Sequence, residues 1–318
     1  MEKKDMRIVF MGTPEMAVAS LEKILQSGYR VVAVVTAPDK PAGRGRKIAA
    51  SAVKKFAMEN GIKVLQPDNL KSPEFTDQLK SEKPDVMVVV AFRMLPKEVW
   101  KLSTKGTFNL HASLLPQYRG AAPINRAIMN GETKTGVTTF FLDEKIDTGK
   151  IIDKRETSIG DRETAGELHD RLKVLGAGLV VDTLEMIRNE NVETTDQEKL
   201  IAQTNREQLK KAPKIFKEDC KIDWNNDVKD VFNHIRGLNP YPGAFTEIHE
   251  GKDEPFILKI FECNYEYAQS ATLPGELLTD NKNYLKMACR NGFIDIKSLQ
   301  AAGKRRMSTV DFLRGFTF

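Results

Sequence analysis

The sequence lacks the features that mark secreted, zinc-binding or membrane-inserted proteins. Its three cysteines, Cys220, Cys263 and Cys289, are odd in number and widely separated, which argues against a disulfide framework and a structural zinc site. No apolar run approaches the roughly 18 residues that a membrane-spanning helix needs. Residues 1–7 are charged and lead into a strand, unlike a signal peptide. These absences predict a protein of the reducing cytoplasm without a membrane partner.

An excess of charge of one sign is also missing. The chain has 49 basic and 44 acidic residues, and its net charge of +5 permits a polyanionic partner without requiring one. Its 41% hydrophobic and 29% charged residues are typical of globular proteins. A length of 318 residues favours two domains, since a domain typically holds about 150 residues. We expect the first domain over residues 1–189, a polar linker over 190–206 and the second domain over 207–318.

Alternating strands and helices predict an open, mostly parallel sheet for the first domain. A strand over residues 7–11, a helix over 14–26 and a strand over 30–35 form a βαβ unit, in which the two strands lie parallel. Residues 85–91 form the most apolar segment, which is typical of a central strand. The turn at Gly12 lacks the three-glycine dinucleotide fingerprint, so a nicotinamide cofactor is poorly supported. The expected fold class is α/β with a Rossmann-like sheet.

Short β-prone segments dominate the second domain. Turn residues separate them at spacings typical of a small barrel, and one helix near residues 227–236 precedes them. A basic cluster, formed by Lys210, Lys211, Lys214 and Lys217, lies just before that helix in the sequence. Such a cluster is either a solvated surface or a contact for phosphates. We expect an OB-like β-barrel for this domain.

Residues 36–47 form an unusually long predicted loop. Their two prolines and two glycines predict that regular structure is absent. Residues 39–47 contain four basic residues and one acidic residue. The stretch is therefore either a solvated surface loop or a flexible basic arm that contacts phosphates.

The stretch most suggestive of chemistry is Asn-Leu-His-Ala-Ser-Leu-Leu-Pro at residues 109–116. Asn109 and His111 are two residues apart, so on a strand both side chains point to the same face. Open α/β sheets bind their ligands beyond the carboxyl ends of such strands. A lone histidine is often just a satisfied core residue, so its role depends on a partner. Asp147, in the acidic turn of a predicted hairpin, is the candidate if its carboxylate reaches His111.

These motifs together resemble the methionyl-tRNA formyltransferase family of folate-dependent enzymes. The resemblance covers nearly the whole chain, and it rests on residues 109–116, on Tyr-Arg-Gly-Ala-Ala-Pro-Ile at 118–124 and on Asp-Thr-Gly at 147–149. The Pro-Ala-Gly-Arg-Gly loop at 41–45 and the second domain distinguish the tRNA enzyme from other formyltransferases.

The resemblance implies formyl transfer from 10-formyltetrahydrofolate, used as a co-substrate, to the α-amino group of methionine on initiator methionyl-tRNA. It implies a role in translation initiation and no metal, and we expect a monomer. The catalytic residues implied by the resemblance are Asn109, His111 and Asp147. Those implied for folate binding are Ser113, Leu114, Leu115, Pro116, Arg93, Met94 and Leu95. Those implied for tRNA binding are Lys40, Arg44, Arg46, Lys47, Lys210, Lys211 and Lys214.

Two other functions stay open at this point. A formyltransferase that acts on a small amine, such as a nucleotide or an amino sugar, would share the first domain but leave the basic loop and the barrel unexplained. A non-catalytic nucleic-acid-binding protein would leave the set of Asn109, His111 and Asp147 unexplained. Arg93 stands where the family often has another residue, so it is either a ligand contact or a surface arginine.

Overall fold

The computed structural model describes residues 1–42, 47–203, 209–248, 256–269 and 271–318. The chain forms two compact units. The first unit consists of Met1–Gly120, Thr135–Thr157 and His169–Lys211. The second unit consists of Ala121–Lys134, Ser158–Leu168 and Ala212–Phe318. The domain boundaries expected from the sequence stay a prediction.

A mixed, mostly parallel sheet organises the first unit. The strands up to residue 158 are β1 (Arg7–Gly12), β2 (Arg30–Val35), β3 (Lys40–Ala42), β4 (Lys47–Ala49), β5 (Val64–Leu65), β6 (Val86–Val90), β7 (Thr107–His111), β8 (Arg119–Gly120), β9 (Lys134–Phe141) and β10 (Ile151–Ser158). Seven of them form one sheet in the order β10-β9-β7-β6-β1-β2-β5. Neighbours from β5 to β7 pair in parallel, whereas β9 pairs antiparallel with β7. The predicted Rossmann-like sheet is confirmed.

The apolar strand predicted to be central is β6. It is the fourth of seven strands, and it pairs in parallel with β1 on one side and β7 on the other. All five of its residues are buried, because both faces of a parallel sheet are covered. Burying a valine side chain of this kind stabilises a fold by about 1.5–3 kcal/mol. The strand that carries Asn109 and His111 is therefore paired with a fully buried strand.

Helices connect these strands. Up to residue 203 they are α1 (Glu15–Gln26), α2 (Ala52–Glu59), α3 (Pro73–Ser81), α4 (Lys97–Trp100), α5 (Pro123–Met129), α6 (Ala165–Arg188) and α7 (Gln197–Gln203). Side chains of Ser51 and Ser72 cap α2 and α3 by accepting backbone N–H bonds. α7 lies within the stretch that the sequence suggested as a linker. No helix among the described residues is long and apolar enough to span a bilayer.

A hairpin occupies part of residues 36–47, so the prediction that this stretch lacks regular structure was wrong. β3 and β4 pair antiparallel, with Lys40 opposite Ala49. Pro41 is tolerated because each strand of a two-stranded ladder is an edge, where one N–H is not needed. Asp39 fixes the base of the hairpin by accepting hydrogen bonds from Lys54 at 2.6 Å and from Gln66 at 2.8 Å. Residues 43–46 lie outside the described residues.

The second unit contains an antiparallel, curled sheet of half-barrel form, as expected for an OB-like domain. The later elements are β11 (Lys211–Ala212), α8 (Val228–Leu238), β12 (Ala244–Ile248), β13 (Phe256–Tyr267), β14 (Leu277–Thr279), β15 (Leu285–Cys289), β16 (Gly292–Ala301), β17 (Met307–Ser308) and α9 (Thr309–Leu313). The sheet order is β12-β13-β16-β15-β14, and β17 pairs with β16. Register shifts near Glu262 allow β13 to bend, since bulges bend strands. The OB-like prediction is confirmed.

His234 of α8 makes the stability of the second unit sensitive to acid. Burial lowers the pKa of its imidazole, and the charge of Arg126 lowers it further, against the opposing effects of a hydrogen bond with the backbone of Cys220 and of the charge of Asp219. Its Nε2 has no hydrogen-bond partner in the described part of the chain. The native state therefore keeps the ring neutral at a pH where an unfolded chain, with a histidine pKa of about 6.5, already binds a proton.

Between about pH 7 and pH 5, we expect the free energy of unfolding to fall less in His234→Gln than in the wild type. Because the folded pKa is depressed, protonation of the unfolded state favours unfolding as the pH falls below about 6.5. The measurement is urea unfolding of both proteins at several pH values. The partly exposed His169 provides the control, since His169→Gln should leave the slope unchanged. Parallel curves for wild type and His234→Gln would contradict this explanation.

Candidate active site

Asn109 and His111 lie on β7, held between β6 and β9. Val89 of β6 pairs with Asn109, and Thr138 of β9 pairs with His111. As alternate residues of one strand, Asn109 and His111 project from the same face, as predicted. The Asn109 amide is half-buried and makes no side-chain hydrogen bond to any other described residue. Its donor and acceptor are therefore available to a bound molecule.

The imidazole of His111 is nearly enclosed, with 7% of its side chain exposed. Its Nε2 lies 2.8 Å from the carbonyl oxygen of Tyr118. A carbonyl oxygen only accepts hydrogen bonds, so Nε2 must carry the hydrogen. Nδ1 is then the one ring nitrogen whose protonation can change during a reaction. The sequence predicted a ring donor here but not which nitrogen supplies it.

The carboxylate of Asp147 does reach His111. Its Oδ2 lies 3.8 Å from Nδ1 of the imidazole, which is an ion-pair distance and longer than a direct hydrogen bond. The same oxygen accepts the backbone N–H of Gly120 at 2.9 Å. The side chain of Asp147 is 13% exposed. A largely enclosed carboxylate thus lies within ion-pair distance of the imidazole.

The turn between β9 and β10 fixes the position of this carboxylate. Asp147 has a φ of +55°, a left-handed conformation that aspartate and asparagine tolerate better than most residues. Oδ1 of Asp143 accepts hydrogen bonds from the hydroxyl of Thr148 at 2.7 Å and from the Lys145 N–H at 3.0 Å. Gly149 is needed at its place because a Cβ there would lie 1.7 Å from the carbonyl oxygen of Phe141. These contacts therefore fix the conformation of the turn that carries Asp147.

The segment after His111 is built into the protein rather than exposed. The hydroxyl of Ser113 is fully buried and donates to the carbonyl of Gln117 at 2.6 Å. Leu115 packs with Phe140 and Ile151. Leu114 and Pro116 are half-buried. Ser113 and Leu115 thus shape the loop from within, while Leu114 and Pro116 keep surface that a ligand could contact.

The residues at the end of β6 differ in their exposure. Leu95 is buried, whereas 71% of Met94 is exposed. The guanidinium of Arg93 donates to the carbonyls of Asp68, at 3.0 Å, and Pro67. Two of the donors of Arg93 are therefore already used within the protein. Its role in folate binding stays a prediction, as do those of Met94 and Leu95.

The described lysines predicted to bind tRNA, Lys40, Lys210, Lys211 and Lys214, are exposed. The backbone N–H of Lys210 donates to Oε1 of Gln117 at 2.8 Å, and the ammonium of Lys214 lies 5.5 Å from the centre of the Phe216 ring. Arg44 and Arg46 lie outside the described residues, and so does the side chain of Lys47.

Among the described residues, no group of three or more histidine, cysteine, aspartate or glutamate side chains could hold a metal ion.

Comparison with known proteins gives this geometry its context. A family model described as "Formyl transferase" matches residues 6–184, and one described as "Formyl transferase, C-terminal domain" matches residues 214–317. A methionyl-tRNA formyltransferase of Flavobacterium johnsoniae is 52% identical over 318 residues, which cover 100% of this chain and 98% of that protein. The chain belongs to the methionyl-tRNA formyltransferase family. The resemblance inferred from the sequence is confirmed.

A second relative is similar in sequence, and a more distant solved structure is similar in fold. A methionyl-tRNA formyltransferase of Bacteroides thetaiotaomicron is 49% identical over 316 residues, covering 99% of this chain and 97% of that protein. An N-formyltransferase of Helicobacter canadensis, solved with folinic acid and dTDP-3-aminofucose, matches with a TM-score of 0.67 and 22% identity. The match covers 95% of this chain and 100% of that one, and at this identity it establishes the shared fold.

Gln197 also contacts the site, although the sequence motifs did not predict a role for it. It begins α7 between the two regions matched by the family models, and it is fully buried. Its Nε2 donates to the carbonyls of Asp147 at 3.0 Å and Gly149 at 2.8 Å. Its Oε1 accepts from Nε and Nη2 of Arg119 at 3.0 and 2.7 Å. No sequence signal marks it, because a glutamine in a polar stretch is ordinary.

Proposed function

We propose that the protein transfers the formyl group of 10-formyltetrahydrofolate to the α-amino group of methionine on initiator methionyl-tRNA. The observation that carries the proposal is the identity of 49–52% over nearly the full length, second unit included, to proteins of that name. The set of Asn109, His111 and Asp147 supplies the groups that formyl transfer needs. Those groups are donors for a developing oxyanion and an acceptor for a proton.

Asn109 and His111 act on the formyl oxygen. As the amine nitrogen bonds to the formyl carbon, that oxygen becomes negative, and hydrogen-bond donors already in place stabilise it. The Asn109 amide makes no side-chain hydrogen bond to the rest of the described chain and can donate. Nδ1 of protonated His111 is the second donor, because Nε2 is held by the Tyr118 carbonyl. The distance of 3.8 Å to Asp147 leaves the Nδ1–H able to donate to the substrate.

Asp147 stabilises the charged ring and moves the proton. The attacking amine must lose one proton once its bond to carbon has formed, and the carboxylate accepts it directly or through water. N10 of the folate gains a proton as its bond to the formyl carbon breaks, which releases tetrahydrofolate. One proton is thereby moved from the amine to N10. A free amine of this kind has a pKa of about 7.7–8.0, so a strong base is unnecessary.

Binding of the two substrates follows the residues named from the sequence. Leu114 and Pro116, with Arg93 and Met94, contact the folate, while Ser113, Leu115 and Leu95 support that surface from within. Lys40, Lys210, Lys211 and Lys214, together with Arg44, Arg46 and Lys47, contact tRNA phosphates. Binding through phosphates should weaken as salt rises, because counterions are released. The protein acts as a monomer in the cytoplasm.

A formylation assay tests this function. The purified protein and 10-formyltetrahydrofolate are combined with methionyl initiator tRNA, with methionyl elongator tRNA or with a nucleotide-linked amino sugar. We expect rapid formylation of the initiator tRNA only. Preferred formylation of the amino sugar would instead identify a small-amine formyltransferase. The absence of transfer to every amine, together with no thermal stabilisation by tetrahydrofolate, would point to a non-catalytic protein.

A further inference from the structure

Gln197 joins the two segments that surround the His111 imidazole. One segment contains Tyr118, whose carbonyl holds Nε2, and Gly120, whose N–H holds Oδ2 of Asp147. Arg119 lies between them and donates twice to Gln197. The other segment is the turn with Asp147 and Gly149, whose carbonyls accept from Gln197. One side-chain amide therefore uses both hydrogens and both lone pairs to connect them.

The position of Gln197 is itself fixed by the first unit. Just before α7, Thr195 exchanges two backbone hydrogen bonds with Ile151 of β10, at 2.9 and 2.8 Å. Leu200 of α7 packs against the cluster of Leu115, Phe140 and Ile151. Ile201 is also buried. The amide is thus presented by an anchored helix, whose support a substitution at position 197 leaves in place.

Each segment contains one residue whose backbone conformation is unfavourable unless surrounding contacts stabilise it. Tyr118 has a φ of +59° and Asp147 a φ of +55°. The left-handed region is unfavourable for residues with a side chain, and such conformations persist where surrounding contacts hold them. Gln197 bonds the carbonyl of Asp147 directly and the neighbour of Tyr118 through Arg119. Gln197 is thus a fully buried side chain that contacts both segments.

We propose that Gln197 is a positioning residue that holds the Asp147 carboxylate against His111. The stretch between the two matched domains thereby completes the active site of the first unit. The inference rests on the proposed function only in taking His111 and Asp147 as the reacting pair. The hydrogen bonds of Gln197 go to neither the imidazole nor the Asp147 carboxylate. It acts through the backbone of residues 147–149 and through Arg119.

The Gln197→Glu variant tests the positioning role of Gln197 separately from the packing of its side chain. Glutamate has the same length and still accepts from Arg119, but it cannot donate to the carbonyls of Asp147 and Gly149. Its oxygens would repel those carbonyls, so the turn would move while the helix stays anchored. A displacement of about 1 Å can cost about 10²-fold in rate. We expect kcat to fall about 10- to 100-fold, with KM for 10-formyltetrahydrofolate within about threefold.

Gln203→Glu is the matched control, since it makes the same change at an exposed position on the same helix. It should keep wild-type kcat. Gln197→Met, which has similar length but no hydrogen bonds, provides a second variant if Gln197→Glu does not fold. Wild-type kcat in either folded Gln197 variant overturns the proposal.

A double-mutant cycle with Asp147→Asn distinguishes positioning from a general structural defect. If Gln197 acts through the Asp147 carboxylate, Gln197→Glu should cause little further loss of kcat once that carboxylate is gone. An equal loss in both backgrounds overturns the proposal. The wild-type rate with initiator tRNA tests the proposed function separately, because the cycle uses only ratios of rates. Should the wild type formylate no amine, the ¹⁵N spectrum of His111 decides: its signals should move in Gln197→Glu and not in Gln203→Glu.

Discussion

Replacing His111 by alanine should lower kcat about 10³-fold while binding of tetrahydrofolate persists. The variant loses the Nδ1 donor to the formyl oxygen, and loss of one such donor costs about 10²–10³-fold. It also loses the ring nitrogen that the Asp147 carboxylate faces at 3.8 Å. The measurement is single-turnover formylation of methionyl initiator tRNA, together with tetrahydrofolate binding by calorimetry.

His169→Ala provides the control for the His111 experiment. His169 is a partly exposed histidine of α6 that pairs with Asp170, outside the contacts described for the active site. Its replacement should leave kcat near the wild-type value. A thermal unfolding curve for each variant shows whether the loss reflects chemistry or unfolding. Near-normal turnover in folded His111→Ala would refute the role assigned to the imidazole.

Replacing Asp147 by asparagine should lower kcat about 10²-fold or more and leave the fold intact. Asparagine tolerates the left-handed conformation at this position, and its side-chain oxygen can still accept the Gly120 N–H. What disappears is the negative charge beside Nδ1 and the group that accepts the amine proton. Acid–base catalysis of this kind contributes about 10²–10⁴-fold. The measurement is kcat with saturating tRNA.

Glu144→Gln tests whether charge in this turn matters in general. Glu144 lies three residues before Asp147 in the same turn, is exposed, and pairs with Lys97. Exposed ion pairs of this kind contribute little, so the variant should keep both stability and kcat. Equal losses in Glu144→Gln and Asp147→Asn would mean that the negative charge of the turn, rather than the Asp147 carboxylate, is what the reaction needs.

Patterns within short segments were enough to predict most of the fold. The apolar run at β6 indicated a central parallel strand, because only a strand covered on both faces is apolar throughout. The alternation of Asn109 and His111 indicated a shared face, since the side-chain period of a strand is two. The hairpin of β9 and β10 followed from two strands around an acidic turn. These properties depend on neighbours in sequence.

The remaining features depend on contacts between distant residues. Gln197 bonds Gly149 and Arg119 across 48 and 78 positions, and no local pattern distinguishes it from other polar residues of its stretch. The choice of Nε2 as the fixed ring nitrogen comes from the backbone conformation at Tyr118. The pairing of β3 with β4 was missed because proline and glycine are turn signals that an isolated hairpin nevertheless accepts.

The hydrogen bond between Nε2 of His111 and the carbonyl of Tyr118 has a consequence for amino-acid replacements. Every residue has a backbone carbonyl, so no amino-acid replacement at position 118 removes this acceptor. The charge of Asp147 and the amide of Gln197, by contrast, can each vanish through a single amino-acid replacement. Replacement of the Tyr118 side chain should therefore leave the tautomer of His111 unchanged, provided that the backbone keeps its left-handed conformation there.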